Sequence, residues 1–402
     1  DLGQNLTKVN LEYPNIYNIL AKHGVKVGVF GSLQSYPLPG DLKNFEFYVP
    51  DTYAAGDECF PDELSAYQTF NLSMVRGNKR NVSAGIAVKD AMRFIQKSMK
   101  LGLTSKTFLK LSKQLISERI NHDHVVRRRS SHAEIAFDIY FQQLINTKPD
   151  ISFFFTNHLA SSMHRYWPTI FPNDYEIGRF EKSWSKQWSE EIPHAVKVAN
   201  YQLQALLNYC DSNGSELILC SSMGQAAVLD AKPVHKKVLL TNLNSLMNYL
   251  GVKKQDWEAK YAMSPQIILS PKTRELKVKI NRLNDITIND KKIKFHETSS
   301  GEIRLEIGLF NQEILTVLDK GKEINPKEIG IENVDLQDAA GAYAYHIPEG
   351  ILLHYKPSMK LDKKNVEDWT SISVLDFAPS ILNKFEKDIP SYMQKDNIFL
   401  SS

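Results

Sequence analysis

Cysteine is scarce in this chain, and this limits both the chemistry that the protein can perform and the cellular compartment that we expect for it. The 402 residues include three cysteines, Cys59, Cys210 and Cys220, at spacings that fit neither a disulfide framework nor a thiolate metal site. Cys220 lies in an apolar run, where a buried thiol is the ordinary interpretation. The cysteine usage therefore predicts a reducing compartment, and we expect a cytoplasmic protein.

Long apolar runs and an excess of charge of one sign are also missing. No stretch approaches the ~20 apolar residues that a membrane span needs, and the first residues do not have the form of a signal peptide. The formal net charge is +3, from 49 basic and 46 acidic residues, which argues against a nucleic-acid partner. With 42% hydrophobic residues, the chain is long enough to bury a large core.

Helical and strand-like segments alternate through the first half of the sequence. Apolar residues recur with helical spacing over 84–98, 104–120, 131–146 and 194–212. Short apolar runs bounded by turn residues predict buried strands at 25–31, 151–156 and 216–220. This order predicts an α/β fold with a mostly parallel central sheet flanked by helices.

The pattern changes between about residues 265 and 330. Apolar and charged residues alternate over 276–280, 286–295 and 302–307, with turn residues between the runs. This alternation predicts a small antiparallel sheet with one solvent-facing side. We therefore expect an α/β core made of residues 1–264 and 331–402, and a β-rich inserted subdomain or cap at 265–330.

Polar residues directly follow two of the predicted strands. In α/β sheets, ligands bind beyond the carboxyl ends of the strands, so these turns are the leading site candidates. A further candidate is His346, which ends another short run of residues. The candidate site residues are Asn157, His158, His164, Arg165, Ser222, Gln225 and His346.

Each candidate has a functional and a structural interpretation. Arg165 matches a phosphate or sulfate in charge and geometry, but a surface or helix-end salt bridge is the more ordinary role for an arginine. Ser222 and Gln225 could donate hydrogen bonds to a ligand, while turn chemistry also explains Ser222. The histidines could hold a metal ion or could hydrogen-bond within a polar pocket.

Four stretches of the chain, taken in order, resemble the alkaline phosphatase superfamily, in its type I phosphodiesterase and nucleotide pyrophosphatase-like branch. The first, at 16–37, is a helix followed by a Val-Gly-Val strand and a Tyr-Pro exit. The second, at 150–168, is similar to an Asp-x-x-x-His zinc motif followed by an aromatic pair. The strand at 216–224 and the closing segments at 346–350 and 373–382 complete the resemblance.

The resemblance implies metal-assisted chemistry on phosphoric or sulfuric esters, with one zinc or other divalent ion held by His164 and His346. His158 or Asn157, on the same turn, is the candidate for a further ligand. Ala160 stands where the family has the aspartate paired with His164, and Ser222 and Met223 stand where it has the Asp-His pair of a second metal ion. The family's nucleophile segment would lie upstream of every matched stretch.

Two functions follow as hypotheses. The first is an ester hydrolase or transferase with altered metal use, acting on a small-molecule or glycan phosphate or sulfate ester. The second is a catalytically inactive pseudo-enzyme that binds such a ligand, or a protein partner, without turnover.

Overall fold

The computed structural model describes residues 13–54, 56–77, 98–261, 266–298, 301–357, 371–393 and 398–400. Their α-helices are α1 (Ile16–Lys22), α2 (Ser65–Gly77), α3 (Ser105–Ile120), α4 (Arg128–Thr147), α5 (His158–Ile170), α6 (Lys182–Gln187), α7 (Glu191–Asn213), α8 (Leu243–Tyr249), α9 (Arg274–Lys279) and α10 (Phe377–Lys384). The first strands are β1 (Val27–Phe30), β2 (Phe45–Val49), β3 (Ile151–Phe154), β4 (Leu217–Ser221), β5 (Gly224–Ala227), β6 (Lys236–Leu240), β7 (Trp257–Tyr261) and β8 (Gln266–Pro271). The later strands are β9 (Ile286–Ile288), β10 (Lys291–Lys292), β11 (Lys294–Glu297), β12 (Ile303–Glu306), β13 (Val317–Asp319), β14 (Lys322–Ile324), β15 (Ile331–Asp335), β16 (Ala344–Ile347) and β17 (Ile351–Tyr355).

Three of the four helices predicted from apolar spacing are confirmed. Helix α3 begins after Thr104, whose side chain accepts a hydrogen bond from the Thr107 N–H and so caps the helix. Helices α4 and α7 cover the other two predicted segments, and α7 ends at Gly214 in a left-handed conformation. The helix predicted at 84–98 lies, but for its last residue, outside the described residues.

The prediction of a mostly parallel central sheet is wrong. The one parallel sheet of the described residues has three strands, in the order β2-β1-β3. Strands β4, β5 and β6 instead pair antiparallel with β17, β16 and β15. The three short apolar runs do form strands, but β3 is half-buried and the end of β4 is exposed where buried strands are predicted. A run of this kind also does not specify which strand it pairs with, because pairing depends on contacts distant in sequence.

Two four-stranded antiparallel sheets occupy the later part of the chain, in the orders β10-β9-β13-β14 and β11-β12-β8-β7. One predicted strand here, at 276–280, is wrong because this segment forms helix α9 and the start of the following 3-10 turn. Leu276 and Ile280 are buried while Val278 is 70% exposed. In a strand all three side chains would lie on one face, whereas in a helix only Leu276 and Ile280 share a face, so their burial favours the helix. Side chains from Val238 to Ile331 form a hydrophobic cluster of their own around these sheets.

The three-stranded sheet lies between two other hydrophobic clusters. On one side, Phe30 and Phe47 pack with the apolar side chains of α4, including Phe137 and Ile139. On the other side, a second cluster joins α1, the side chains Val27 and Val29 of β1, and α10. No helix of the described residues has the length and apolarity needed to cross a membrane.

Candidate functional site

Helix α5 and the two-stranded ribbon of β5 and β16 form the candidate site. The ribbon lies against α5, and one contact between them follows directly from the sequence. Proline at position 168 has no N–H, so the His164 carbonyl cannot form the usual helical hydrogen bond to it. That carbonyl accepts instead from the Tyr343 N–H at 2.8 Å, which fixes the ribbon to the helix.

Two imidazoles meet where the helix and the ribbon touch. The ring centroids of His164 and His346 are 4.9 Å apart, although the two residues are distant in the sequence. Nδ1 of His164 lies 2.6 Å from the Ala344 carbonyl oxygen. Because a carbonyl only accepts, this nitrogen carries the proton, and in the neutral ring the lone pair is on Nε2. His346 is exposed, so the pair lies at the surface.

Gln225 lies directly opposite His346 in the antiparallel ribbon, and directly opposite residues share one face of a sheet. Its side-chain nitrogen donates to the Ala160 carbonyl of α5 at 3.2 Å. The amide oxygen is buried and has no hydrogen-bond partner among the described residues. A buried oxygen of this kind is costly unless a ligand or water donates to it.

Ser222 lies in the exposed turn between β4 and β5. At this turn the end of β4 lies very close to the segment between β16 and β17, since a Cβ placed on Gly350 would lie 1.7 Å from the Ser221 carbonyl oxygen. Asn157 is exposed at the start of α5, where its side chain makes no capping hydrogen bond. The structure therefore brings His164, His346 and Gln225 together, and places Ser222 and Asn157 in exposed turns.

The other two candidates make contacts within the protein. His158 is buried, with Nδ1 at 2.9 Å from the Thr156 hydroxyl and Nε2 at 3.2 Å from the Ala195 carbonyl. Both ring nitrogens therefore have protein partners, and burial lowers the pKa of the ring. Arg165 donates to the Ser161 hydroxyl at 2.7 Å and lies 3.6 Å from the Asp338 carboxylate.

Asp338 is the centre of a polar group that we call the Asp338 cluster, made of Asp338, Arg129, Arg165 and Tyr166. The Tyr166 hydroxyl donates to the carboxylate at 2.9 Å and accepts from Arg129 at 3.1 Å. Burial raises the pKa of Tyr166, which keeps its hydroxyl proton available for donation. Two guanidinium groups thus surround one nearly buried carboxylate, and the cluster joins α4 and α5 to the segment before β16.

The residues at the site provide an incomplete metal shell. Among the described residues, no group of three or more His, Cys, Asp and Glu side chains is placed to hold a metal ion. Catalytic zinc usually takes three protein ligands, and the pair of His164 and His346 supplies two. The described residues therefore do not by themselves fit the zinc centre that the sequence resemblance implies.

Sequence reasoning did not identify Tyr345 as part of this site. Its ring lies 5.6 Å from His164 and 4.7 Å from His346, centroid to centroid, and it is 57% exposed. Its position directly before His346 was the available signal. The Asp338 cluster was also missed, because nothing in the local sequence around Asp338 marks it as a partner of Arg165.

Comparisons of the chain with protein-family models, with curated proteins and with solved structures gave no match.

Proposed function

We propose that the chain binds a phosphate or sulfate ester through the imidazole pair of His164 and His346, as a non-hydrolytic protein with the motif order of alkaline phosphatase-like phosphodiesterases. The observation that carries the proposal is the 4.9 Å approach of the two rings at an accessible surface. An imidazolium donates from both ring nitrogens, so the charged form of His164 can donate to an oxyanion from Nε2 while Nδ1 stays bonded to the Ala344 carbonyl, and such charge-assisted bonds are stronger than neutral ones. A small-molecule or glycan ester is the ligand class that this chemistry fits.

Gln225 and Tyr345 give the proposed site its further contacts. The buried amide oxygen of Gln225 is an acceptor for a hydroxyl group of the ligand, which would remove the cost of leaving that oxygen without a partner. The exposed Tyr345 ring offers an apolar face beside both imidazoles, suited to a sugar or aryl group.

Hydrolysis with one metal ion is the second candidate function. It is favoured by the contact of His164 Nδ1 with a backbone carbonyl, because metal-binding histidines commonly donate their other ring N–H to such a group. His164 and His346 would hold the ion, which would polarise the ester oxygen. We assign no catalytic step, since the described residues supply two ligands.

Calorimetric titration with p-nitrophenyl phosphate, bis(p-nitrophenyl) phosphate and p-nitrophenyl sulfate tests the proposal, together with metal analysis of the protein and release of p-nitrophenol. We expect binding without turnover, and a loss of at least about tenfold in affinity for His346→Ala. His235→Ala, at an exposed histidine elsewhere, is the matched control and should bind as the unchanged protein does.

Three results are decisive. Stoichiometric metal with turnover that requires His346 would favour the hydrolase. Binding that survives both His346→Ala and His164→Ala in folded protein would reject this site. Absence of binding for all three esters would reject the proposed ligand class.

The cytoplasmic location stays part of the proposal. Cys59, Cys210 and Cys220 are all free thiols, in agreement with a reducing compartment. Fractionation of cells that express the full-length protein tests this expectation, and recovery outside the cytoplasm would contradict it.

A further inference from the structure

The two imidazoles of the proposed site belong to separate elements of the fold. His164 lies on α5, while His346 lies on β16, which pairs only with β5 among the described residues. A two-stranded ribbon is marginally stable by itself and needs packing against other elements to keep its position. The place of His346 relative to α5 must therefore be set by contacts outside the ribbon, and the segment that leads into β16 supplies them.

The segment that leads into β16 contacts α5 at both of its ends. At its start, the Asp338 carboxylate accepts from the Tyr166 hydroxyl at 2.9 Å and lies 3.6 Å from Nε of Arg165. At its end, the Tyr343 N–H donates to the His164 carbonyl at 2.8 Å. The three helical residues in these contacts are consecutive in the sequence. Both ends of the segment therefore contact the one turn of α5 that carries the His164 ring.

The turn at Asp338 has a backbone conformation that residues with a Cβ rarely adopt. Ala339 has a φ of 48°, in the left-handed region that favours glycine, and such a residue persists only where its surroundings fix the backbone. Asp338 fixes it through two groups. Its carboxylate accepts from the Ala340 N–H at 3.3 Å, and its carbonyl accepts from Nε1 of Trp184 at 3.0 Å. Asp338 therefore determines the direction in which the chain continues to β16.

We propose that Asp338 is the positioning residue of the imidazole pair: it holds the turn before β16 against α5 and so sets the distance between His164 and His346. The contact of His164 Nδ1 with the Ala344 carbonyl at 2.6 Å depends on the same placement, since Ala344 directly follows Tyr343. The inference rests on the ester-binding function proposed for the pair, and it adds what fixes the two rings before a ligand binds. Asp338 acts through the helix and the turn.

The distance between the rings provides the first test, and it requires no ligand. In protein with protonated histidines in an otherwise deuterated chain, ring centroids 4.9 Å apart should give a nuclear Overhauser effect between His164 and His346. We expect this signal in the unchanged protein and its loss in Asp338→Asn. Tyr166→Phe removes one donor to the carboxylate but keeps the ring that stacks on Trp188, and it should lose the signal as well.

Glu118→Gln is the matched control, because it also removes the charge of a nearly buried carboxylate that binds an arginine. The Glu118 carboxylate lies 2.7 Å from Nη2 of Arg128 and joins α3 to α4, not to the ribbon. This variant should lose stability but keep the signal between the rings, and loss of the signal there would overturn the proposal. A folded Asp338→Asn protein that keeps the signal would also overturn it. If that variant does not fold, Tyr166→Phe decides in the same way.

Ester affinity provides the second test, by calorimetric titration with p-nitrophenyl phosphate. Asp338→Asn should weaken binding by about tenfold, and its combination with His346→Ala should bind no more weakly than His346→Ala alone. Losses that add in the double variant would overturn the proposal, because they would show that Asp338 does not act through the pair. Absence of ester binding in the unchanged protein would reject the proposed function, while the signal between the rings still decides whether Asp338 positions them.

Discussion

Acid should destabilise this protein partly through one buried histidine, His132 on α4. Its ring stacks at 6.3 Å on Tyr67 and lies 6.0 Å from Phe70, both on α2. Nε2 is buried without a hydrogen-bond partner among the described residues. Burial therefore lowers the pKa of His132 from 6.5 to about 4.

The sign of the effect follows from proton binding. Because the folded-state pKa is the lower one, the unfolded chain binds more protons between pH 6.5 and about 4. The contribution of His132 to the free energy of unfolding is complete above this window and is lost as the pH falls through it. The full shift corresponds to about 3 kcal/mol, of which about 2 kcal/mol is lost by roughly pH 5.

Replacement of His132 by phenylalanine should remove this part of the pH dependence. We expect urea unfolding at about pH 8 and pH 5 to show a difference in unfolding free energy that is smaller by about 2 kcal/mol in His132→Phe than in the unchanged protein. Burial also lowers the pKa of His158 and that of His194, but these residues are present in both proteins and cancel in the comparison.

His122→Phe is the matched control, because the His122 side chain is exposed. It should keep the pH dependence of the unchanged protein. If His132→Phe loses as much stability on acidification as the unchanged protein, the histidine is not held neutral by burial and the reasoning is refuted.

Two further predictions concern stability and are checked by urea or thermal unfolding. Gly350→Ala should lower the free energy of unfolding by about 1–3 kcal/mol, because the new Cβ would lie 1.7 Å from the Ser221 carbonyl oxygen. The control is Gly40→Ala, which should have little effect because no atom lies within 4 Å of the new Cβ. An equal loss of stability in the two variants would contradict the close approach at Gly350. Asp338→Asn should cost about 3 kcal/mol or more, because it leaves the two guanidinium groups of the Asp338 cluster without their carboxylate. The control is Asp230→Asn at an exposed position. If Asp338→Asn leaves the free energy of unfolding unchanged, solvent or another group compensates the charge of the two arginines.

The sequence alone determined the elements whose signals are local. The helical spacing of apolar residues over 104–120 and 194–212 predicted α3 and α7, and the Thr104 cap and the left-handed Gly214 that bound these helices are local features too. The polar turns after β3 and β4 were visible for the same reason, since a turn is specified by the residues within it. The exception is the segment at 276–280, where a short alternating pattern fits both a strand and a helix, and burial of Leu276 and Ile280 decided for the helix.

The tertiary structure alone decided which elements meet. β4 pairs with β17 and β5 with β16, and these antiparallel partners were not encoded in the short apolar runs that predicted a parallel sheet. The approach of His164 to His346 depends on the β16 partner and on the carbonyl that Pro168 leaves for the Tyr343 N–H. Contacts of this kind join residues far apart in the chain, and their free energy comes from the packing of whole elements, which no local pattern records.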